Sequence, residues 1–381
     1  MPEPGRRRGP GRRRAPGRRR GRSEVAPPAR RTAPPLPSPL EIGRSREGRP
    51  LHAYRFGTGP LRISLIAGCH ADEPVGPRLL RSVAARLAAL PAAASALRGR
   101  EWWIVPHVNP DGAERNRSWQ EAGADRYDPV AFLAGVQREP PGDDLEFGFP
   151  QGPDDPDARP EARALLAWWR KAGGPFHLHV SLHGMAFAAG PWFLVEPAWV
   201  DRTADLRARC AERVRALGYR LHDVERHGEK GFHRIAPGFC TRPDSESMRR
   251  HFLDRGDPET AARFRPSSME TIRSLGGDPL TLVSEMPLFL LPDVGEEIGP
   301  PDPAAEAWRR RLEGWRGALL AAPDAERSRV ADEVRRDMDA AGLAPMAVRD
   351  QMAMQWTFIA AGVEAVESRA AAGLARPTGP A

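Results

Sequence analysis

The sequence predicts an α/β fold, and three observations carry that expectation. Short apolar runs alternate with stretches of helical periodicity along most of the chain. Several runs end in small or turn-forming residues, as strands that feed into loops do. A hydrophobic content of 40% over 381 residues is enough for a sizeable core, in one large domain or two ordinary ones. No apolar run approaches the roughly 18 residues of a membrane span.

The chain opens differently. Residues 1–38 repeat G-R-R-R three times and then turn proline-rich, with almost no side chain able to build a core, so this segment is expected to be a disordered tail. Residues 1–31 hold twelve arginines against two glutamates, so of the chain's +7 this stretch supplies +10 and the rest carries about −3. The sequence pI near 10.0 therefore describes the tail. Such an arm could adhere to nucleic acid or an anionic surface by counterion release. The reading preferred here is a solvated, dispensable extension. No apolar segment of the secretory type follows the basic stretch, and Cys69, Cys210 and Cys240 are too scattered for a disulfide framework, so cytoplasmic residence is the default expectation.

From residue 39 the expected strands are HAYRFG, RISLIAG, EWWIVPHVN, FHLHVSLHG, GPWFLVEP and LTLVSEMPLF. Between the second and third, Val75, Leu79, Leu80, Val83 and Leu87 form one stripe at helical spacing, which is a helix packing on a sheet. Residues 116–160 are rich in Gly, Pro and Asp with little periodicity and read as a long functional loop. Trp308, Leu312, Trp315 and Leu319 form a further stripe, and AVRDQMAMQWTFIAAGVEAVESRAAAG reads as another helix. Residues 301–376 are thus expected to be C-terminal helices packed on a domain spanning 39–300.

The chemistry begins in SLIAGCHADEPVG. His70 closes an apolar strand pattern and Glu73 starts the next helix, so both project from the carboxyl edge of a sheet, where ligands bind in open α/β folds. H-x-x-E alone is weak, and His222 and Glu225 repeat it, but in a polar stretch that reads as solvated surface. A catalytic zinc site needs a third protein ligand and an open fourth position. FHLHVSLHG offers His177, His179 and His183 on one strand face. His183, at the expected strand end before Gly184, is the ligand chosen, and the other two read as packed histidines. Downstream of His70 stands Asn109, Pro110, Asp111 and Gly112, by itself only a good turn.

In that order these motifs resemble the zinc carboxypeptidases of the M14 family and their deacylase relatives, over about Leu40 to Leu291. The resemblance implies a mixed, mostly parallel central sheet of about eight strands with helices on both faces. It implies one zinc ion per chain on His70, Glu73 and His183, the two-histidine, one-glutamate set of carboxypeptidase A. It further implies a general base late in the chain, matched by Glu285 in DPLTLVSEMPLF, and an arginine after the N-P-D-G motif that stabilises the oxyanion, matched by Arg117 with Arg115 as the alternative. Zinc would bring its water's pKa toward about 7, and the carboxylate would take the proton and return it to the leaving nitrogen. Glu270 is a poorer base, because Ser267 and Glu270 read as a capping box.

One motif departs from the family. Where relatives carry D-L-N-R-x-F-P, whose Asn and Arg hold a terminal carboxylate, this chain has DDLEFGFP, with Glu146 and Phe147 at those places. A carboxylate cannot clamp a carboxylate, so Glu146 is expected either to face the far end of the substrate, repelling a free terminal carboxylate and favouring an amide, a hydroxyl or a cationic group, or to pair with a nearby arginine such as Arg117 or Arg126 and never meet substrate. The expected function is a zinc-dependent hydrolase of a peptide or small amide substrate. An N-acyl amino acid deacylase of the succinylglutamate desuccinylase and aspartoacylase type is the alternative, and a zinc-binding protein without turnover is a third reading.

Overall fold

Alternation along the strands sorts side chains onto the two faces of one sheet. The structure, a computed structural model, describes residues 34–121, 125–152, 155–294 and 302–374. Most of the expected tail, and the expected boundary between 300 and 301, lie outside the described residues.

The strands are β1 (Leu40–Arg44), β2 (Pro50–Phe56), β3 (Leu61–Ala67), β4 (Arg100–Val105), β5 (Leu178–Ala188), β6 (Trp192–Val195), β7 (Arg234–Ala236), β8 (Phe239–Thr241), β9 (Leu280–Leu290) and β10 (Ala344–Pro345). They form a sheet of order β1-β2-β4-β3-β5-β9-β6-β8-β7, with β10 paired to β9. The centre, β4-β3-β5-β9, is parallel, and antiparallel pairs flank it, so the sheet is mixed. The six strands expected from sequence are β2 to β6 and β9.

The helices are α1 (Val75–Ala88), α2 (Ser95–Arg98), α3 (Pro110–Glu121), α4 (Pro129–Gly135), α5 (Pro160–Arg170), α6 (Ala204–Ala216), α7 (Ser245–Asp254), α8 (Pro258–Arg263), α9 (Ser268–Ser274), α10 (Pro303–Ala321), α11 (Arg327–Ala340) and α12 (Val348–Leu374). On one sheet face Ile63, Leu65, Val180, Leu182 and Leu282 pack with Leu80 of α1, Val214 of α6 and Phe358 of α12. The opposite face buries Ile66, Trp103 and Val105 against Leu165 and Trp169 of α5 and Ile272 of α9. Truncating a fully buried leucine such as Leu182 would cost about 2–5 kcal/mol. On the second face the alternate residues of β5 are His179, Ser181 and His183, and this polar row becomes the floor of the site.

Two expectations are corrected. Residues 116–160 are not one loop: α3 extends into the stretch and α4 lies within it. Helix α3 lacked a periodic signal because Asp111, Gly112, Asn116 and Trp119 are its buried residues, a face held by hydrogen bonds more than by apolar contact. Nor does β5 end at His183. It runs on to Ala188, paired throughout with β9, and Gly184 makes room for that pairing: a Cβ there would lie 3.0 Å from the Met286 carbonyl oxygen.

Candidate metal centre

Parallel register fixes the first two positions of the site. His183 on β5 stands directly opposite Glu285 on β9, the strands joined from Leu178 to Ala188. His70 and Glu73 come from the turn between β3 and α1, which leaves the sheet at Gly68 with φ +73°. A Cβ at Gly68 would meet the His107 ring at 2.7 Å, so both its backbone and its space require glycine.

The Asn109 motif locks this turn in place. Pro110 opens α3, the buried Asn109 Oδ1 accepts from Gly112 N at 2.9 Å, and its Nδ2 donates to Glu139 Oε1 at 2.8 Å. A Cβ on Gly112 would come within 2.6 Å of Ala71 Cβ, so the helix start lies tight against the His70 turn. Asp111 faces the other way and accepts from Ser45 Oγ, Glu47 N and Arg49 Nη1.

The atoms of His70, Glu73 and His183 converge. His70 Nδ1 lies 2.6 Å from Glu73 Oε1, His183 Nδ1 lies 3.1 Å from Glu73 Oε2, and the two Nδ1 atoms face each other at 3.2 Å. Ligands at bonds of about 2.0–2.1 Å in a tetrahedral zinc site sit roughly 3.3 Å apart, so this set fits the ion. Two imidazole Nδ1 atoms gain little from facing each other, and Glu73 Oε2 is buried without a hydrogen bond. Burial disfavours the charged form of His183, but the Glu73 carboxylate and the hydrogen bonds around it raise its pKa well above the ordinary value. Burial would raise Glu73, yet His70 and His183 hold it well below the carboxylate range.

Glu285 shares a cleft of about 370 Å³ with His70, His183 and Arg138. It is half-buried, and among the described residues it makes no hydrogen bond or ion pair. Burial pushes its carboxyl up to about 7, against the nearby His183 and with the charge of Glu73.

Glu146 lines this cleft as a buried residue. It is 5% exposed, and its Oε2 lies 3.0 Å from His183 Nε2 while its Oε1 accepts from Ser268 Oγ at 3.1 Å. Its carboxylate is thus engaged with the His183 ring, a contact the sequence expectation did not include. The reason is local: Asp144 Oδ1 accepts from Phe147 N at 3.1 Å, turning the chain so that 146 points in and Phe147 packs on Phe264.

The two arginines after the N-P-D-G motif also lie elsewhere. Arg117 pairs with Glu114 on an exposed face and lines a separate cavity with His52 and His107. Arg115 is held by Glu47 and Glu139. The cation beside the cluster is Arg138, 3.4 Å from Asp72 and 3.5 Å from Glu73. The sequence expectation of Arg117, with Arg115 as the alternative, did not include Arg138. The usable signal was its position shortly ahead of DDLEFGFP, on the segment that returns to the site.

The remaining histidines are accounted for. His179 is fully buried between Ser64 Oγ and Ser268 Oγ, and burial pushes it down to about 3. His177 Nδ1 accepts from Arg62 N. His222 is buried rather than solvated, 8% exposed and edge-on to Trp192, because the strand edge at β6 covers it. Glu225 instead accepts from His227 N, so that pair gathers no metal set among the described residues. Ser267 and Glu270 form the expected capping box at α9.

Part of the chain is similar to known carboxypeptidases. Carboxypeptidase D of Mus musculus is 30% identical over 197 residues, covering 44% of this chain and 14% of that protein, and carboxypeptidase D of Homo sapiens is 30% identical over 192 residues, covering 41% and 14%. The chain therefore spans about 14% of the length of these curated relatives. Among solved structures, bovine thrombin-activatable fibrinolysis inhibitor aligns at TM-score 0.46 and 12% identity over 87% of this chain and 90% of that one. A metallo-carboxypeptidase from Burkholderia cenocepacia aligns at 0.42 and 16% over 87% and 65%. The family model for zinc carboxypeptidases matches residues 29–194, the span that holds His70, Glu73, Asn109 to Gly112 and His183. That match, over less than half of the chain, and the similarity to carboxypeptidase D support a member of the M14 family of zinc carboxypeptidases.

Proposed function

We propose that the chain is a zinc-dependent hydrolase of peptide or amide bonds, in which His70, Glu73 and His183 hold one zinc ion and Glu285 is the general base. The observation that carries this reading is the unpaired, half-buried Glu285 carboxylate in one cleft with His70 and His183, two of the three converging ligands. A salt bridge would have made it structural, and none is found among the described residues.

When bound, zinc supplies Lewis-acid polarisation of the scissile carbonyl and lowers the pKa of water. Glu285 takes the proton of the attacking water and returns it to the leaving nitrogen. Arg138, rather than Arg117, offers its guanidinium to the charge that develops on the carbonyl oxygen. Glu146 keeps the His183 ring turned so that Nδ1 faces the ligand cluster.

The test is a screen of zinc-loaded and metal-free protein against peptides, N-acyl amino acids and other amides, read by mass. Zinc-dependent release of an amine supports the reading, and which amide is cut separates a peptidase from a deacylase. His183→Ala should abolish zinc binding while His222→Ala keeps it. Full zinc occupancy in His183→Ala would reject the ligand assignment.

A further inference from the structure

The family's carboxylate clamp is absent, and Phe147 in its place is part of an aromatic wall with Phe264 and Phe252. The same cleft nevertheless carries two other cations, Arg226 and Lys230. Both are half-buried, and neither lies within salt-bridge distance of a carboxylate among the described residues. The acids adjacent to them in sequence are committed elsewhere. Glu225 accepts from His227 N, and Glu229 pairs with Arg255 and His251.

Their backbone is shaped for the purpose. His227, Gly228, Lys230 and Gly231 all have positive φ, 48°, 81°, 56° and 86°, and two of the four are not glycine. Side chains with a Cβ enter that region at a cost, so the loop is held by its surroundings. Gly228 N donates to Phe232 O, Phe232 N to Glu229 O, and Thr241 Oγ1 to Gly231 O. Arg226 is further fixed between rings, its guanidinium 4.9 Å from the Phe232 centroid and 5.2 Å from that of Trp192. Burial lowers the Lys230 pKa, and the Arg226 charge acts in the same direction with only Glu229 opposing. Two like charges are therefore held on one wall of a cleft whose own carboxylates, Glu139, Asp144, Glu146 and Glu285, lie beyond salt-bridge distance of both, an arrangement that a bound anion would relieve.

Arg138 cannot serve this end, since it stands among Asp72, Glu73, Glu285 and Asp144. We propose that Arg226 and Lys230 form the subsite for a terminal carboxylate, so that the substrate is an amide with an apolar body and an acidic end. The aromatic walls of Phe147, Phe232, Phe252 and Phe264 contact the body, and the loop cations hold the end that the position of Phe147 no longer can. This rests on the reading of the cleft as an amide-hydrolysing site.

The experiment measures binding, so it is read whether or not the bond is cut. N-acetyl-phenylalanine and its primary amide are titrated calorimetrically into the zinc-loaded full chain, into R226Q/K230Q and into K230Q alone. The wild type should bind the acid about tenfold or more tightly than the amide, as a charge-assisted contact implies. R226Q/K230Q should lose that difference while keeping its affinity for the amide, which also reports an intact cleft, and K230Q should lose part of it. A wild type that does not favour the acid, or a preference that survives R226Q/K230Q, overturns the proposal. Absence of amide hydrolysis alongside the predicted binding pattern would instead reject the proposed reaction and leave the subsite standing.

Discussion

Replacing Glu146 by glutamine tests how the buried carboxylate supports the metal centre. Its two oxygens meet His183 Nε2 at 3.0 Å, Ser268 Oγ at 3.1 Å and Ser181 Oγ at 3.4 Å, and the residue is 5% exposed. Glutamine keeps the shape but only one acceptor oxygen, so either the imidazole N–H or the Ser268 hydroxyl loses its acceptor. A hydrogen bond to a charged group is worth about 1.5–3 kcal/mol, and partners of this kind commonly change metal affinity by about 10–100-fold. Glu146→Gln should therefore bind zinc about 10–100-fold more weakly, measured by competition with a chromophoric chelator. Glu146→Ala should also lose about 1–3 kcal/mol of folding stability, because the buried His183 Nε2 and Ser268 Oγ lose their carboxylate acceptor. Unchanged zinc affinity in Glu146→Gln, together with altered preference between acid and amide substrates, would show that this carboxylate faces substrate and refute the reasoning.

Two further outcomes follow from the site. Arg138→Gln should retain zinc and lose about 100-fold or more in turnover, the scale for removing one donor to a developing oxyanion, while Arg117→Gln stays within a factor of two or so of wild type. Equal effects of the two substitutions in steady-state assays would remove Arg138 from the mechanism. Buried neutral histidines should make the protein acid-sensitive: His179 and His222 are pushed from 6.5 to about 3 and about 4 by burial, so the unfolded chain binds protons that the folded one refuses. Their contribution is complete above about 6.5 and is lost as pH falls toward the folded values, each at about 1.4 kcal/mol per pH unit. Urea titrations of the zinc-loaded protein between pH 7 and 4.5 check this, and a His179→Gln protein with the same pH slope as wild type would contradict it.

What was legible in the sequence was whatever strand edges determine. His70 follows the apolar run of β3 and His183 lies within β5, both on runs whose apolar alternation is plain, and the order of motifs supplied Glu73 and Glu285. Short edge pieces such as β7, β8 and β10 were not legible, since two or three residues carry no period. Helix α3 escaped because its inner face is polar and held by Asn109, Asn116 and their partners. The directions of Glu146 and Arg138 were not legible for a common reason: both lie in the 136–149 segment, where side-chain direction is set by individual hydrogen bonds and turns that no periodicity encodes. The same holds for Arg226 and Lys230, whose shared direction depends on a run of left-handed residues.

Glu285 carries the central claim, and the most direct measurement is the turnover of zinc-loaded Glu285→Gln beside wild type on whichever amide the screen identifies, with zinc content determined on the same samples. Glutamine preserves size and cannot take a proton, so zinc content should stay at one ion per chain while turnover falls by at least about a hundredfold. Turnover within a few-fold of wild type at equal zinc content would contradict the account, as would loss of zinc in proportion to activity, which would make Glu285 a part of the metal-binding structure instead of the base.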